Sequence, residues 1–156
     1  MNQDFKELLA AFNAEQVKFL VIGGYAVIKH TEPRYTKDLD LWVDVKDANP
    51  ERVYRALQQF GAPLTNLSPR DFSQPGFFYT MGMVPRRVDI LFDLTGLDFD
   101  ECWARRVESD LGGLIVYFIS APDLILNKEA VGRYQDLADA EKLRLTQARA
   151  LEQPPQ

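Results

Sequence analysis

Two aspartates separated by one residue constrain the fold of this chain more than any other feature of its sequence. Asp38 and Asp40 alternate with Leu39 and Leu41 in an otherwise apolar segment. Side chains two residues apart on a β-strand point to the same face, so both carboxylates would leave one face of a sheet while the leucines pack on the other. Since an unpaired charge beside a core is costly, the alternation predicts a strand whose acidic face carries a functional site.

Two further features accompany this pair. An apolar stretch ends in Gly23-Gly24, and Asp89 lies between apolar residues in a second strand-like run. Glycine lets a backbone approach a phosphate without a Cβ in the way, and converging carboxylates repel one another unless a cation lies between them. Mg²⁺ is usually held by one or two carboxylates together with substrate phosphates. The combination therefore predicts metal-dependent chemistry on a nucleotide.

Length and composition favour one folded domain. The chain has 156 residues, of which 46% are hydrophobic and 26% charged, as is ordinary for a globular protein. We expect a single domain over residues 1–150 and a disordered tail over 151–156. The net charge of −5 argues against a general DNA-binding protein, because such binding relies on phosphate neutralisation. A nucleic-acid substrate held by a local basic patch stays compatible with this charge.

Cysteine usage and the apolar segments bear on the compartment. Cys102 is the only cysteine, so an intrachain disulfide is impossible and a reducing compartment fits. The first residues lack the basic and apolar regions of a signal peptide. No apolar run approaches the roughly 20 residues that cross a bilayer. We therefore expect a cytoplasmic protein without membrane partners.

Hydrophobic periodicity predicts alternating helices and strands. Strands are predicted over 17–22, 39–45, 77–81, 87–92 and 113–119. Helices are predicted around 5–12, 24–32, 49–60, 98–108, 120–132 and 135–150, and the turn-rich segment 62–75 is predicted as a surface loop. The expected fold class is α/β (α+β): a mixed, mostly antiparallel sheet carries the acids on one face, helices pack behind it, and a C-terminal helical segment closes the cleft.

These motifs resemble the signature of the nucleotidyltransferase superfamily related to DNA polymerase β. That signature is a hydrophobic residue before Gly-Gly or Gly-Ser, then two alternating aspartates, then a third aspartate between hydrophobic residues. The corresponding segments here are Ile22-Gly23-Gly24, Asp38-Leu39-Asp40-Leu41 and Val88-Asp89-Ile90. Residues 23–40 and 120–139 are most similar to a small bacterial branch that includes abortive-infection-type toxins and minimal nucleotidyltransferases. Gln135 departs from the branch, which commonly has lysine there.

The resemblance implies a nucleotidyltransferase fold and a Mg²⁺-dependent transfer of an NMP from an NTP such as ATP. Asp38 and Asp40 would bind two metal ions and the triphosphate. Asp89 would complete the metal site and help to activate the acceptor hydroxyl, which makes all three acids catalytic. Two metals about 3.5–4 Å apart can hold the attacking and leaving oxygens in line.

Several other residues are candidates for nucleotide binding. Gly23 and Gly24 would present backbone N–H groups to the phosphates at the start of a helix. Lys128, on a helix near the C-terminus, would contact a phosphate as a point charge. Arg34 and Lys37 flank the acids and could either steer the triphosphate or balance the charge of the acids.

The remaining polar residues of interest have simpler interpretations. His30, the sole histidine, is interpreted as a helix-end residue rather than a base. Asp44 and Asp93 are expected to lie beyond the site. Asp136 and Asp139 are expected to hold the last helix in place rather than to take part in chemistry.

The acceptor and the biological setting stay open at this point. By resemblance, the acceptor is RNA such as a tRNA end, a protein or a small molecule, and the chain is a toxin–antitoxin or phage-defence component that works with a protein partner or as a homodimer. The alternative is a catalytically weak nucleotide-binding or partner-binding module, antitoxin-like, of a two-protein system. A third possibility is an unrelated α/β domain whose acids cap strands, and it predicts that the three carboxylates lie far apart.

Overall fold

The structure is a computed structural model that describes residues 1–83 and 86–153. Its helices are α1 Gln3–Ala14, α2 Gly23–His30, α3 Asn49–Phe60, α4 Phe99–Ala104, α5 Ala121–Val131 and α6 Tyr134–Glu152, with a 3-10 helix over Pro69–Ser73. Its strands are β1 Phe19–Ile22, β2 Leu39–Val43, β3 Phe78–Met81, β4 Val88–Leu91, β5 Val107–Leu111 and β6 Leu114–Phe118.

The strands form one mixed sheet in the order β3-β4-β2-β1-β6-β5. Strand pairs β3–β4, β2–β1 and β6–β5 are antiparallel, whereas β4–β2 and β1–β6 are parallel. Antiparallel pairs therefore predominate, and the predicted α/β class with a mixed, mostly antiparallel sheet is confirmed.

The two faces of the sheet are covered by different helices. Phe12 of α1 packs edge-on against Phe19 of β1, with ring centroids 5.6 Å apart. Ile22 lies three residues further along the same strand, so it points to the opposite face, and it pairs with Asp40 of β2. Helix α1 thus lies behind the sheet, and the acidic face is left to α2, α4, α5 and α6, since Trp42, on the same face as Asp40, contacts Phe99 of α4.

The region between α4 and β6 differs from its prediction. The predicted helix over 98–108 is wrong in its second half, because α4 ends at Ala104 and β5 begins at Val107. β5 pairs with β6 around Gly112 and Gly113, whose φ angles of +68° and +94° suit a tight hairpin turn. The alternation of β5 was masked by its short length and its acidic residues, which are also typical of a helix.

The turn-rich segment 62–75 contains a core residue that its composition does not predict. Phe72, in the 3-10 helix, is fully buried and makes edge contacts with Tyr54, Phe77 and Phe92. The segment therefore closes one end of the core rather than forming only a surface loop.

The C-terminal helix is longer than predicted. Helix α6 continues to Glu152, two residues into the segment 151–156 that is predicted as a tail, and residues 154–156 lie outside the described part of the chain. Over residues 1–83 and 86–153, none of the helices combines the length and the apolar character that spanning a bilayer requires.

Candidate active site

The sheet brings the predicted acids to one place. Asp40 of β2 pairs directly with Asp89 of the neighbouring parallel strand β4, and Asp38 lies immediately before β2, two residues before Asp40. Burial, the negative charges of Asp89 and Asp38, and a hydrogen bond with Asp89 raise the pKa of Asp40 to about 6, against an opposing effect of Lys128. The short distance between these acids excludes the alternative of an unrelated α/β domain whose acidic residues cap strands that lie far apart.

The position of the Asp40 carboxylate leaves room only for a glycine at residue 23. Its φ angle is +66°, and a Cβ at this position would lie 2.2 Å from Asp40 Oδ2. A Cβ on the neighbouring Gly24 would lie 2.4 Å from Thr36 Oγ1. The two glycines therefore let the start of α2 lie directly against Asp40 and Thr36.

Asp89 is oriented by two donors on its own face of the sheet. Thr80 Oγ1 donates to Asp89 Oδ1 at 2.8 Å, and Arg87 Nε donates to the same oxygen at 3.0 Å. Thr80 is the cross-strand partner of Asp89, and Arg87 lies two residues before it. These contacts fix the Asp89 side chain and place a positive charge at the outer side of the acid pair.

A cavity of about 310 Å³, called the acid cavity below, opens beside Asp40, whereas Asp38 and Asp89 stand outside its described lining. Its lining includes Gly23, Gly24, Asp40, Lys128 and Arg133, which come from β1–α2, β2, α5 and the start of α6. Four of these five residues were predicted as site residues from the sequence, and the cavity brings them together although more than a hundred positions separate the glycines from Lys128.

Lys128 is held in the cavity by two buried aspartates. Its Nζ lies 3.3 Å from Asp136 Oδ1 and 3.3 Å from Asp139 Oδ2, and its side chain is only 11% exposed. Arg34 Nη1 donates to Asp139 at 2.8 Å, and Arg133 Nε donates to Asp136 at 2.7 Å. Asp136 and Asp139 therefore fix α6, as expected, and they also position the Lys128 ammonium.

The pKa values of these two aspartates follow from their partners. Burial alone would raise the pKa of Asp136, but hydrogen bonds from Arg133 and the charge of Lys128 lower it overall. Burial likewise acts to raise the pKa of Asp139, and hydrogen bonds from Arg34 and Gln135 together with Lys128 lower it. Both groups thus stay anionic and hold the cations around the cavity.

The other sequence predictions meet different outcomes. Arg34 lines a separate groove and reaches Lys128 only through Asp139. Lys37 is exposed and stands outside the described lining of the acid cavity. Asp93 lines this cavity, so its predicted position beyond the site is wrong: it lies four residues after Asp89, on the face that strand alternation gives to Asp89 and to Leu91, which also lines the cavity. His30 Nε2 lies 2.7 Å from the Ile119 carbonyl oxygen, as suits a helix-end residue.

The fit of the acids to a metal ion depends on Asp38 and Asp40. Asp38 Oδ1 is buried and has no hydrogen-bond partner among the described residues. Across the same part of the chain, no three His, Cys, Asp or Glu side chains are grouped so as to hold a metal ion by themselves. Two hard oxygen ligands and an open cavity suit Mg²⁺, which takes most of its ligands from water and phosphate. The described residues do not form the metal site of three acids that was predicted with Asp89, and Asp38 and Asp40 stay the candidate ligands.

The raised pKa of Asp40 predicts a stability effect in the metal-free protein. Between about pH 3.8 and 6, the folded state binds more protons than the unfolded chain, so the free energy of unfolding falls as pH rises through this interval. The loss is about 2–3 kcal/mol and is complete above pH 6. We therefore expect Asp40→Asn to raise the melting temperature in EDTA at pH 7 by roughly 5–10 °C.

Thermal unfolding at several pH values checks this expectation. The difference between Asp40→Asn and the unsubstituted protein should be largest above pH 6 and should vanish below about pH 3.8. A difference that stays constant over this range, or a less stable variant at pH 7, would show that Asp40 is not held as a strained carboxylate.

Comparison with known proteins bears on the family and the fold. A family model described as "Nucleotidyltransferase of unknown function (DUF6036)" matches residues 1–153. Among solved structures, the fold is similar to an antigenic nucleotidyltransferase-like protein from Paracoccidioides brasiliensis, with a TM-score of 0.54 and 14% sequence identity over 90% of this chain and 72% of that one. Identity at this level shows a shared fold. No curated protein matches the sequence.

Proposed function

This chain belongs to the nucleotidyltransferase family of unknown function DUF6036, and we propose on that premise that it transfers an NMP from an NTP to a hydroxyl acceptor in a Mg²⁺-dependent reaction. The observation that carries the proposal is the Asp40–Asp89 pair. The two residues lie opposite each other on adjacent strands, and Gly23 packs so closely against Asp40 that a Cβ would not fit there. Acidic residues with a purely structural role are not expected to lie so close together, because like charges at close range destabilise the fold.

Asp38 and Asp40 would hold Mg²⁺ in the proposed reaction. The metal, when bound, would neutralise charge on the triphosphate and on the departing pyrophosphate. Asp38 Oδ1, which has no hydrogen-bond partner among the described residues, and Asp40, whose pKa is raised, would both gain a partner when a cation binds. A second metal ion would require Asp89 to contribute as well.

Asp89 would serve the acceptor. The acceptor oxygen attacks the α-phosphorus of the NTP, the bond from that phosphorus to the β-phosphate oxygen breaks, and the hydroxyl proton passes to the Asp89 carboxylate. Thr80 and Arg87 hold that carboxylate by one oxygen, so its orientation is set before the acceptor arrives. Pyrophosphate is the leaving group.

Lys128 and the two glycines would bind the donor. The N–H groups at the start of α2 suit phosphate oxygens, and the Lys128 ammonium faces the same cavity. Substitution Lys128→Met removes this charge, and we expect affinity for Mg-ATP to fall at least about tenfold, as for loss of one charged contact. Isothermal titration calorimetry measures this affinity.

A matched lysine separates this effect from a general loss of charge. Lys142 pairs with the exposed Glu32 on the outside of α6, and exposed pairs of this kind contribute little. Lys142→Met should therefore leave the affinity for Mg-ATP unchanged. Equal affinities for Lys128→Met and Lys142→Met would remove Lys128 from the donor site.

A transfer assay tests the proposed activity. Protein, Mg²⁺ and each of the four α-labelled NTPs are incubated with cellular RNA, cellular protein or a small-molecule extract. These fractions represent the candidate acceptors, RNA such as a tRNA end, a protein hydroxyl and a metabolite. We expect labelling of one fraction by the unsubstituted protein and by Asp100→Ala, which changes an exposed acid on α4, but not by Asp38→Ala.

The outcome also decides between the enzyme and a binding module. Tight NTP binding without transfer to any fraction would favour a catalytically weak nucleotide-binding or partner-binding module. A labelled RNA or protein fraction would make a toxin–antitoxin or phage-defence role in the cytoplasm the next hypothesis to test, with the gene's immediate neighbour as the first partner to examine.

A further inference from the structure

A second cavity lies beside the acid cavity and has a different character. It is a groove of about 450 Å³ between α2, the segment 33–36 and the β5–β6 hairpin. Its size is within the range of small-molecule sites. The described linings of the two cavities share no residue, so a ligand in this groove would occupy a separate site.

Aromatic side chains form two sides of the groove. Phe118 is buried in its floor, whereas Tyr35 stands at its rim with 76% of its surface exposed. Tyr25 lies close to Tyr35, and burial together with the neighbouring Tyr35 raises the pKa of the Tyr25 hydroxyl. Exposed rings that face a partly apolar groove are suited to stacking on a planar ring.

Cationic side chains lie among these rings. Lys29 Nζ is 3.4 Å from Ser109 Oγ and 5.9 Å from the centroid of the Phe118 ring. In the described part of the chain, no carboxylate forms an ion pair with Lys29. Arg34 is the second cation of the lining. The Arg34 guanidinium already pairs with Asp139, so Lys29 is the cation of this groove that lacks a carboxylate partner among the described residues, and its charge suits an anionic ligand.

We propose that this groove binds an anion that carries a planar ring and has the size of a nucleoside monophosphate. The ring of the ligand stacks on Tyr35 and Tyr25, and its phosphate binds Lys29. The site adjoins the acid cavity, because Thr36 of the groove lies against Gly24 and Arg34 donates to Asp139, which holds Lys128. Neither the family description nor the proposed transfer reaction assigns a ligand to this place.

Calorimetric titration with AMP in EDTA tests the proposal without any contribution of bound metal. We expect the unsubstituted protein to bind AMP, and Lys29→Ala and Tyr35→Ala each to weaken binding at least about tenfold, as for loss of a charged contact or a stacked ring. Both side chains are exposed, so both variants should fold. Arg70→Ala removes an exposed cation from the distant 3-10 helix and should leave the dissociation constant unchanged.

The ligand class is tested in the same experiment. Adenosine lacks the phosphate and ribose 5-phosphate lacks the ring, so each should bind at least tenfold more weakly than AMP. Absence of AMP binding would overturn the proposal. So would AMP binding that survives both Lys29→Ala and Tyr35→Ala but is weakened by Arg133→Ala, because Arg133 lines the acid cavity and the nucleotide would then lie there.

Discussion

Substitution of Asp40 by asparagine is expected to lower the rate of NMP transfer by about a thousandfold or more. The asparagine keeps the shape of the side chain but removes the charge that would bind Mg²⁺. Metal ions contribute several kcal/mol of charge stabilisation in the transition state, and each 1.36 kcal/mol corresponds to about a factor of ten in rate. The initial rate of label transfer at saturating Mg²⁺ measures the effect.

The stability of the same variant excludes unfolding as the cause. Asp40→Asn should be more stable than the unsubstituted protein at pH 7 in EDTA, because asparagine carries no charge to be buried or to be repelled by Asp89 and Asp38, the effects that raise the pKa of Asp40. Loss of activity together with a gain in stability is typical of a strained active-site residue. Retention of more than a tenth of the transfer rate by Asp40→Asn would rule out Asp40 as a metal ligand.

Substitution of Gly23 by alanine is expected to damage both the fold and the donor site. Alanine at φ +66° is strained, and its Cβ would lie 2.2 Å from Asp40 Oδ2, so either the start of α2 or the Asp40 carboxylate must move. We expect a loss of about 1–3 kcal/mol in the free energy of unfolding. NMP transfer should fall by roughly a hundredfold, because small displacements of a reacting group have effects of this size.

Gly112 supplies a matched control for this experiment. Its φ angle of +68° is nearly the same, but a Cβ there has no atom within 4 Å. Gly112→Ala therefore carries the backbone strain without the collision, and it should keep full transfer activity. If chemical denaturation and transfer assays give the same values for the two variants, then the contact between Gly23 and Asp40 has no functional role.

The acidic centre could be predicted because its signals are local. The alternation around Asp38 and Asp40 defines their common face, and the apolar neighbours of Asp89 define a second strand. The one further assumption is that β2 pairs with β4. The structure shows this pairing, with Asp40 opposite Asp89. The glycine pair before α2 follows in the same way from short-range sequence.

The surroundings of the centre could not be predicted, because they depend on contacts between distant segments. Arg34 and Asp139 are 105 residues apart in sequence, and no local pattern indicates that they pair. The apolar partners of Phe72 come from a helix and from two other segments, so a turn-rich composition hides its place in the core. Alternation puts Asp93 on the face of Asp89, but it was misplaced because the reach of the cavity beyond the end of β4 depends on residues of α5 and α6.

The most direct test of the central claim is the dependence of NTP binding on Mg²⁺ and on the acid pair. Isothermal titration with each NTP, in Mg²⁺ and in EDTA, should show binding that requires the metal and that disappears in Asp38→Ala and Asp40→Asn. The Asp100→Ala variant should bind as the unsubstituted protein does. NTP binding that is the same in EDTA and in both acid variants would contradict the assignment of this face as a metal-dependent nucleotide site.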